Sequence, residues 1–239
     1  SEPVLEWTKP QFTFASAADG CPTVIFHRGD YNFYDPVDGV AYSTHRCYMP
    51  NMGAVIFESG TTVRMPKLEL GAVRALVRFD DCEAEIFGET KLSSGSLEAL
   101  DGAKVTIKGS ITHGNGHFDI RDGSVLTASG DANVSSAYKP IFTVSNATFK
   151  AVNSALGGST DGEIRVEDGA SFTLTGGDAL QIGASGGNGT LRVSGGEAKM
   201  GRIRISRSSA GTGNSARVIQ TGGTLSLSGA VEFQQSCKD

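Results

Sequence analysis

Between Glu163 and Gly229 the chain repeats one pattern three times: Ile164-Arg-Val-Glu-Asp-Gly-Ala-Ser-Phe-Thr-Leu, then Leu191-Arg-Val-Ser-Gly-Gly-Glu-Ala-Lys-Met, then Val218-Ile-Gln-Thr-Gly-Gly-Thr-Leu-Ser-Leu. Each copy is a short alternating strand, a turn centred on glycine and a second alternating strand. Period-two alternation buries one face and wets the other. Gly169, Gly196 and Gly223 supply the positive φ that a tight corner requires. Two strands cannot bury their own apolar face, so the copies must stack on one another.

From Val55 onward eight copies can be laid over each other, with the inward residue before the turn at Phe57, Phe79, Ala99, Ile120, Val144, Val166, Val193 and Gln220. The successive spacings of 22, 20, 21, 24, 22, 27 and 27 residues fit one coil of a β-solenoid and not a propeller blade of about 40. Irregular spacing predicts loops of varying length along one edge. Two corners, Asp80-Asp81-Cys82 and Ser145-Asn146-Ala147, lack glycine and are expected to be one residue tighter or built on Asp or Asn. Late in the chain Leu180-Gln-Ile-Gly and Ile203-Arg-Ile-Ser add a third alternating strand per coil. Three strands per coil make a three-walled solenoid of the all-β class.

Residues 1–50 differ from everything after them, holding five of the seven prolines and nine of the 18 aromatic residues, among them Trp7, Phe12, Phe14, Phe26, Tyr31, Phe33 and Tyr34. The first layer of a solenoid has no neighbour on its outer side, and terminal repeats are atypical for that reason. The expectation is an aromatic-rich N-terminal cap and first coil over 1–50, followed by about eight coils over 51–239, in one structural domain.

Glycine, at 32 of 239 residues, is about twice its usual share, yet 38% of the chain is hydrophobic and no long block lacks apolar residues. That composition argues against disorder and for many turns. A net charge of -5, with 21 basic residues scattered along the chain, argues against a nucleic-acid or anionic-membrane partner. No apolar run approaches 18 residues, so no helical membrane insertion is expected. Ser1 is not a start methionine, and the chain reads as processed or recombinant, with any export signal out of view. The four cysteines follow no zinc spacing, and neither a metal nor another cofactor is implied. Cys21 and Cys47, 26 residues apart, are close to one repeat length and within reach of a disulfide between adjacent layers. Such a bond, expected if the protein is exported, contributes about 3 kcal/mol. Cys82 reads as a buried thiol acting as a small hydrophobe.

Two stretches resemble known families. Thr23-Val-Ile-Phe-His-Arg-Gly-Asp-Tyr-Asn-Phe-Tyr is similar to the strand, glycine turn and tyrosine strand that open the right-handed parallel β-helix of many pectin-lyase-like carbohydrate enzymes. Leu180-Gln-Ile-Gly, the Gly-Gly-Asn-Gly loop, Thr190-Leu-Arg-Val-Ser-Gly-Gly and Ile219-Gln-Thr-Gly-Gly-Thr-Leu-Ser-Leu-Ser-Gly resemble the autotransporter-associated β-strand repeats of large bacterial surface proteins. Together these resemblances imply a right-handed parallel β-helix and an extracellular or cell-surface location.

Since pectin-lyase-like folds host polysaccharide hydrolases, the motifs of polygalacturonases are the natural comparison. Asp80-Asp81 resembles their Asp-Asp, Gly116-His117 part of their Gly-His-Gly, and Arg202-Ile203-Arg204 their Arg-Ile-Lys, while the Asn-x-Asp is missing and Phe118 replaces the last glycine. His117 and Arg202 are 85 residues apart, about three coils, and at about 4.8 Å per layer such residues cannot share one glycosidic bond. Glu83 and Glu85 face solvent from one strand, either as an inverting carboxylate pair or as a solvated face. His113 and His117 have the spacing of a helical metal pair, but Gly114, Asn115 and Gly116 between them forbid a helix, so both are expected in a loop between coils. No catalytic residue is assigned.

Arg202 and Arg204 face outward on one strand, with Arg207 in the loop beyond and Arg192 on another strand of the same coil. This group either grips an anionic glycan through forked hydrogen bonds or forms a solubilising face with Glu197 and Asp178. Arg28-Gly29-Asp30 spells a cell-attachment tripeptide, although Gly-Asp after a strand is ordinary turn chemistry.

The expected function is that of a non-catalytic secreted or cell-surface β-helix acting as adhesin-like passenger, stalk or scaffold. The alternative is a carbohydrate-active enzyme, polysaccharide lyase or glycosidase, or a fragment of one, which needs a groove with aromatic platforms and converging carboxylates on one wall. Expected partners are an extracellular glycan or a surface protein. The C-terminal end, poor in apolar residues after Gly229, is expected to be closed from outside, by further coils of a longer chain or by self-association, with Cys237 available for an intermolecular bond.

Overall fold

The computed structural model describes residues 23–32, 47–49, 53–71, 75–134, 139–157, 161–177, 180–183, 187–207 and 215–235. Within them the chain forms 27 strands and no helix, and it visits three sheets in strict rotation, so that each sheet holds nine strands. Wall A runs from Thr23–Phe26 to Arg217–Gln220, wall B from Gly29–Asn32 to Thr224–Leu227, and wall C from Cys47–Met49 to Val231–Gln235. Every strand pairs in parallel with its counterpart one coil away. The molecule is a three-walled parallel β-solenoid of nine coils, numbered here from the N-terminus.

The register carries the core. Phe26, Phe57, Phe79, Ala99, Ile120, Val144, Val166, Val193 and Gln220 stand one above another along wall A, the column that alternation and repeat spacing predict. Phe57, Phe79, Ile120, Val144, Val166 and Val193 are all fully buried. Gln220 keeps the register but is exposed, and its Nε2 donates to the Gly223 carbonyl at 3.1 Å.

Bulk is handed from column to column. Phe26, Phe57 and Phe79 stack at centroid separations of 4.9 and 5.5 Å, and the column then narrows at Ala99. Phe118 and Phe142 take over in the neighbouring column at 4.6 Å, Phe142 meets Phe149 of wall B edge-on at 4.8 Å, and Phe149 stacks on Phe172 at 5.2 Å. A coil interior of fixed width holds only a few rings per layer, so an aromatic in one column is balanced by a smaller side chain in another.

The corners between walls A and B bear out the two exceptions. Only two residues join the strands at Asp81-Cys82 and at Asn146-Ala147, against three or four at the other corners from coil 2 onward, and Asp81 (φ 45°) and Asn146 (φ 46°) occupy the left-handed region themselves. Asp and Asn tolerate it because their short side chains bond locally. Between walls B and C the limit is space: a Cβ on Gly109 would lie 2.6 Å from the backbone of Gly88 one coil below. On the C-to-A edge three or four residues suffice up to coil 5, five or six are used at 135–140, 157–161 and 183–188, and nine at 208–216. Length is not confined to that one edge as expected, because 14 residues separate Asn32 from Cys47 and five separate Leu174 from Leu180 between walls B and C, against two or three in the other coils.

Wall C bears out the three-walled reading and corrects one expectation. Its strands recur in every coil, most of them three residues long, as in Thr90–Leu92 and Ser154–Leu156. His113 belongs to one of them, Ile111–His113, and points inward between Leu92 and Val134 with no exposed surface. It is a core residue, not a loop residue, and His117 is the exposed first residue of strand His117–Arg121. Gly29 and Asp30 open strand Gly29–Asn32 instead of forming a turn. Most of the proposed N-terminal cap, Cys21, the Cys47 side chain and Cys237 lie outside the described residues, and so does the Cys21–Cys47 pairing.

Candidate functional site

Outward positions on a parallel solenoid form columns, and a charge in one coil finds its partner in the next. On wall B, Glu83 meets Lys104 at 3.2 Å, and Glu85 lies between Lys108 at 2.6 Å and Arg64 at 3.7 Å. Both carboxylates are therefore engaged in coil-to-coil ion pairs, which is the solvated-face arrangement. On wall A, the Arg78 Nε donates to Glu98 at 2.7 Å. Pairs this exposed contribute about 0–1 kcal/mol each. Their role is to keep neighbouring columns from repelling.

The four arginines singled out by sequence sit on two walls. Arg192 lies on wall A in strand Gly189–Val193, and its Nε donates to Glu163 at 3.1 Å. The same carboxylate receives two hydrogen bonds from Arg165, at 3.1 and 3.3 Å. Partial burial opposes ionisation of Glu163, but the bonds from Arg165 and Arg192 outweigh it and hold the carboxyl below the usual range. On wall C, Arg202 precedes strand Ile203–Arg207, Arg204 lies within it, and Arg207 is its last residue and not part of the loop beyond. Arg202 and Arg204 both donate to Glu232 at 2.9 Å, and Arg202 also donates to the Gly177 carbonyl. Hydrogen bonding from Arg204 leads the effects that hold Glu232 below the usual range.

The acidic partners are thus Glu163 and Glu232. Glu197 pairs with Lys199 at 2.8 Å instead, and Asp178 lies outside the described residues. In each group two guanidiniums donate to one carboxylate. Arg217, exposed on wall A opposite Thr190, has no ion-pair partner among the described residues. Residues 180–239 hold 7 Lys and Arg against 3 Asp and Glu, whereas residues 1–179 hold 14 against 23. Overall net charge conceals this polarity along the solenoid axis: the last coils are basic, and the rest is acidic.

The acidic side is densest where walls A and B meet in coils 2 to 4. Burial, followed by the charge of and a hydrogen bond with Asp101, raises the Asp80 carboxyl above its ordinary value. The Ser59 hydroxyl donates to Asp81 at 2.5 Å. A shallow groove runs past Arg28, Ser59, Thr61, Asp81, Glu83 and Lys104. The residues that resemble polygalacturonase motifs stay apart: Asp80 and Asp81 at the end of wall A in coil 3, His117 at the start of wall A in coil 5, and Arg202 and Arg204 on wall C in coil 8. No group of three metal-binding side chains occurs among the described residues. No helix there is long and apolar enough to cross a membrane.

Cys82 closes the corner behind this groove, 3% exposed. Burial pushes its thiol up to about 11, against smaller opposing effects from hydrogen bonds to the Thr61 side chain and the Asp80 backbone. Two pK units above the ordinary 9.0 leave about 100-fold less thiolate near neutrality. Alkylation at pH 8 followed by peptide mapping is expected to leave Cys82 unmodified in native protein and to label it fully in urea. Labelling at the same rate in both states would contradict its burial.

Fold and surface together define a class, the three-walled parallel β-solenoids with ion-paired outer walls. No protein-family model, no curated protein and no solved structure matches the chain.

Proposed function

We propose that the protein is a non-catalytic, extracellular or cell-surface solenoid, an adhesin-like stalk or scaffold whose contact surface lies in the arginine-rich last coils. The observation that carries this reading is the disposition of the outward charges. The strand-borne carboxylates Glu83, Glu85, Glu98, Glu163 and Glu232 are each engaged by a cation. That leaves them poorly placed for proton transfer to a glycosidic oxygen. The basic character of residues 180–239, with 7 Lys and Arg against 3 Asp and Glu, supports contact with an anionic glycan or an acidic protein surface.

The test combines turnover and binding. Incubation with a panel of neutral and acidic polysaccharides is expected to release neither reducing ends nor unsaturated products. Glycan-array binding is expected for sulfated or uronate-rich chains, falling as salt rises, and weakened several-fold in the Arg192→Ala/Arg217→Ala double variant. Sustained product release would establish the carbohydrate-active alternative in its place.

A further inference from the structure

Two asparagines stand directly before a glycine at a C-to-A corner, Asn115 between coils 4 and 5 and Asn188 between coils 7 and 8. That pair of residues has a chemistry of its own. A backbone nitrogen that reaches the side-chain carboxamide of the residue before it can close a five-membered imide, and glycine, with no Cβ, leaves the nitrogen open to that approach. The way the fold holds each carboxamide decides whether the ring closes.

At Asn188 the carboxamide is held from the coils on both sides. Its Nδ2 donates to Asp161 at 2.7 Å, and its Oδ1 accepts from the Ser215 backbone N–H at 2.6 Å. Gly189 opens strand Gly189–Val193, in register with Gly162. Asn115 is the opposite case. Its Oδ1 accepts from the N–H of Gly116, the very next residue, at 2.8 Å, so Cγ, one C=O bond of about 1.23 Å from that oxygen, lies within about 4 Å of the nitrogen. Gly116 lies outside the strands, between Ile111–His113 and His117–Arg121. Stacking also fixes the glycine: its φ of 85° is left-handed, and a Cβ there would collide with the Gly95 carbonyl one coil below. No bulkier residue can therefore take its place and shield the nitrogen.

We propose that Asn115 is a site of spontaneous modification, passing through a cyclic imide with Gly116 to aspartate and isoaspartate. The Gly116 nitrogen, its proton lost to hydroxide, attacks the Asn115 Cγ; the Cγ–Nδ2 bond breaks, and the amide nitrogen takes a proton from water and leaves as ammonia. Water then adds to one of the two imide carbonyls and opens the ring. The product carries one more negative charge than the net -5 of the parent chain. Where the ring opens to isoaspartate, the backbone also gains one atom in a corner of only three residues. That corner includes the Gly116 carbonyl, 3.2 Å from the buried His113 Nε2, so the change falls where the imidazole is packed.

The test holds the native 239-residue chain at pH 8 for several days and follows it by peptide mapping, with isoaspartate read by enzymatic methylation. Asn115 is expected to react at least about tenfold faster than Asn188, since misplacing reacting groups by about 1 Å costs up to about 100-fold. In urea, where each site is only an asparagine before a glycine, the two rates should converge. Asn115→Ser copies the Ser94 and Gly95 pair one coil below. It should leave the circular-dichroism spectrum unchanged and remove most of the acidic isoform that ion exchange resolves from the aged protein. Equal rates at the two sites in the native chain, Asn188 ahead of Asn115, no product at Asn115, the same ratio in urea as in buffer, or an undiminished acidic isoform in Asn115→Ser would each overturn the proposal.

Discussion

Replacing Phe142 by alanine is expected to lower the unfolding free energy by about 4 kcal/mol, within the 3–5 observed for burying and then deleting an aromatic ring. Phe142 is 1% exposed and joins two ring series, lying 4.6 Å from Phe118 below it on wall A and 4.8 Å from Phe149 across the corner on wall B. Its register partners are Phe118 and Ile164, so a cavity in coil 6 loosens coils 5 and 7 as well. Each coil of a solenoid touches only its neighbours, and stability is close to a sum of coil and interface contributions. Weakening one interface in mid-stack is therefore expected to broaden urea unfolding into two transitions and to raise amide exchange on both sides of coil 6. Val125→Ala, on the outward side of wall B and 39% exposed, should change stability by no more than about 0.5 kcal/mol. Equal losses for the two variants would show that the rings contribute only area.

Walls A and B were legible in the sequence because their strands are four to six residues long, enough for alternation to register twice, and because corner residues with positive φ punctuate them. Even the two corners without glycine could be read, since Asp81 and Asn146 are the residue types that enter the left-handed region without it. Wall C was not legible in most coils. A strand such as Thr90-Lys-Leu or Ser154-Ala-Leu offers a single alternation, which any loop can match by chance. His113 compounded the difficulty, because a polar ring at an inward position breaks the pattern where it is shortest. The arginine partners were hidden for a different reason: Glu163 lies 29 residues from Arg192, and Glu232 lies 30 from Arg202. Those separations are one coil in space and carry no signal in a linear reading. The one signal that was there, the contrast between a basic last quarter and an acidic remainder, disappears when charge is summed over the whole chain.

Acidification is expected to weaken the protein by about 3 kcal/mol between pH 6.5 and pH 4 through His113 alone, at 1.36 kcal/mol per pK unit. The imidazole is fully buried in the wall C column between Leu92 and Val134 and lies edge-on to Phe118, 5.9 Å between centroids. Its Nε2 lies 3.2 Å from the Gly116 carbonyl, which can only accept, so the proton sits on Nε2 and Nδ1 is left buried without a partner. Burial lowers its pKa from 6.5 to about 4; the Gly116 and Asn115 carbonyls and Asp119 resist that shift, and His117 adds to it. Above 6.5 both folded and unfolded states hold the ring neutral, and His113 contributes no pH dependence. Between 6.5 and 4 the unfolded chain takes up a proton that the folded one excludes, so stability falls with pH and levels off below 4. His113→Leu removes the titration and the orphaned nitrogen while keeping an apolar side chain in a column of Leu and Val. Urea unfolding of both proteins at half-unit steps from pH 8 to pH 4 is the measurement. The variant is expected to lie within about 1 kcal/mol of the parent at pH 8 and to be the more stable by about 3 kcal/mol near pH 4. Parallel pH profiles would mean that His113 already reaches water in the folded state, and that coil 4 is open where its packing says it is closed.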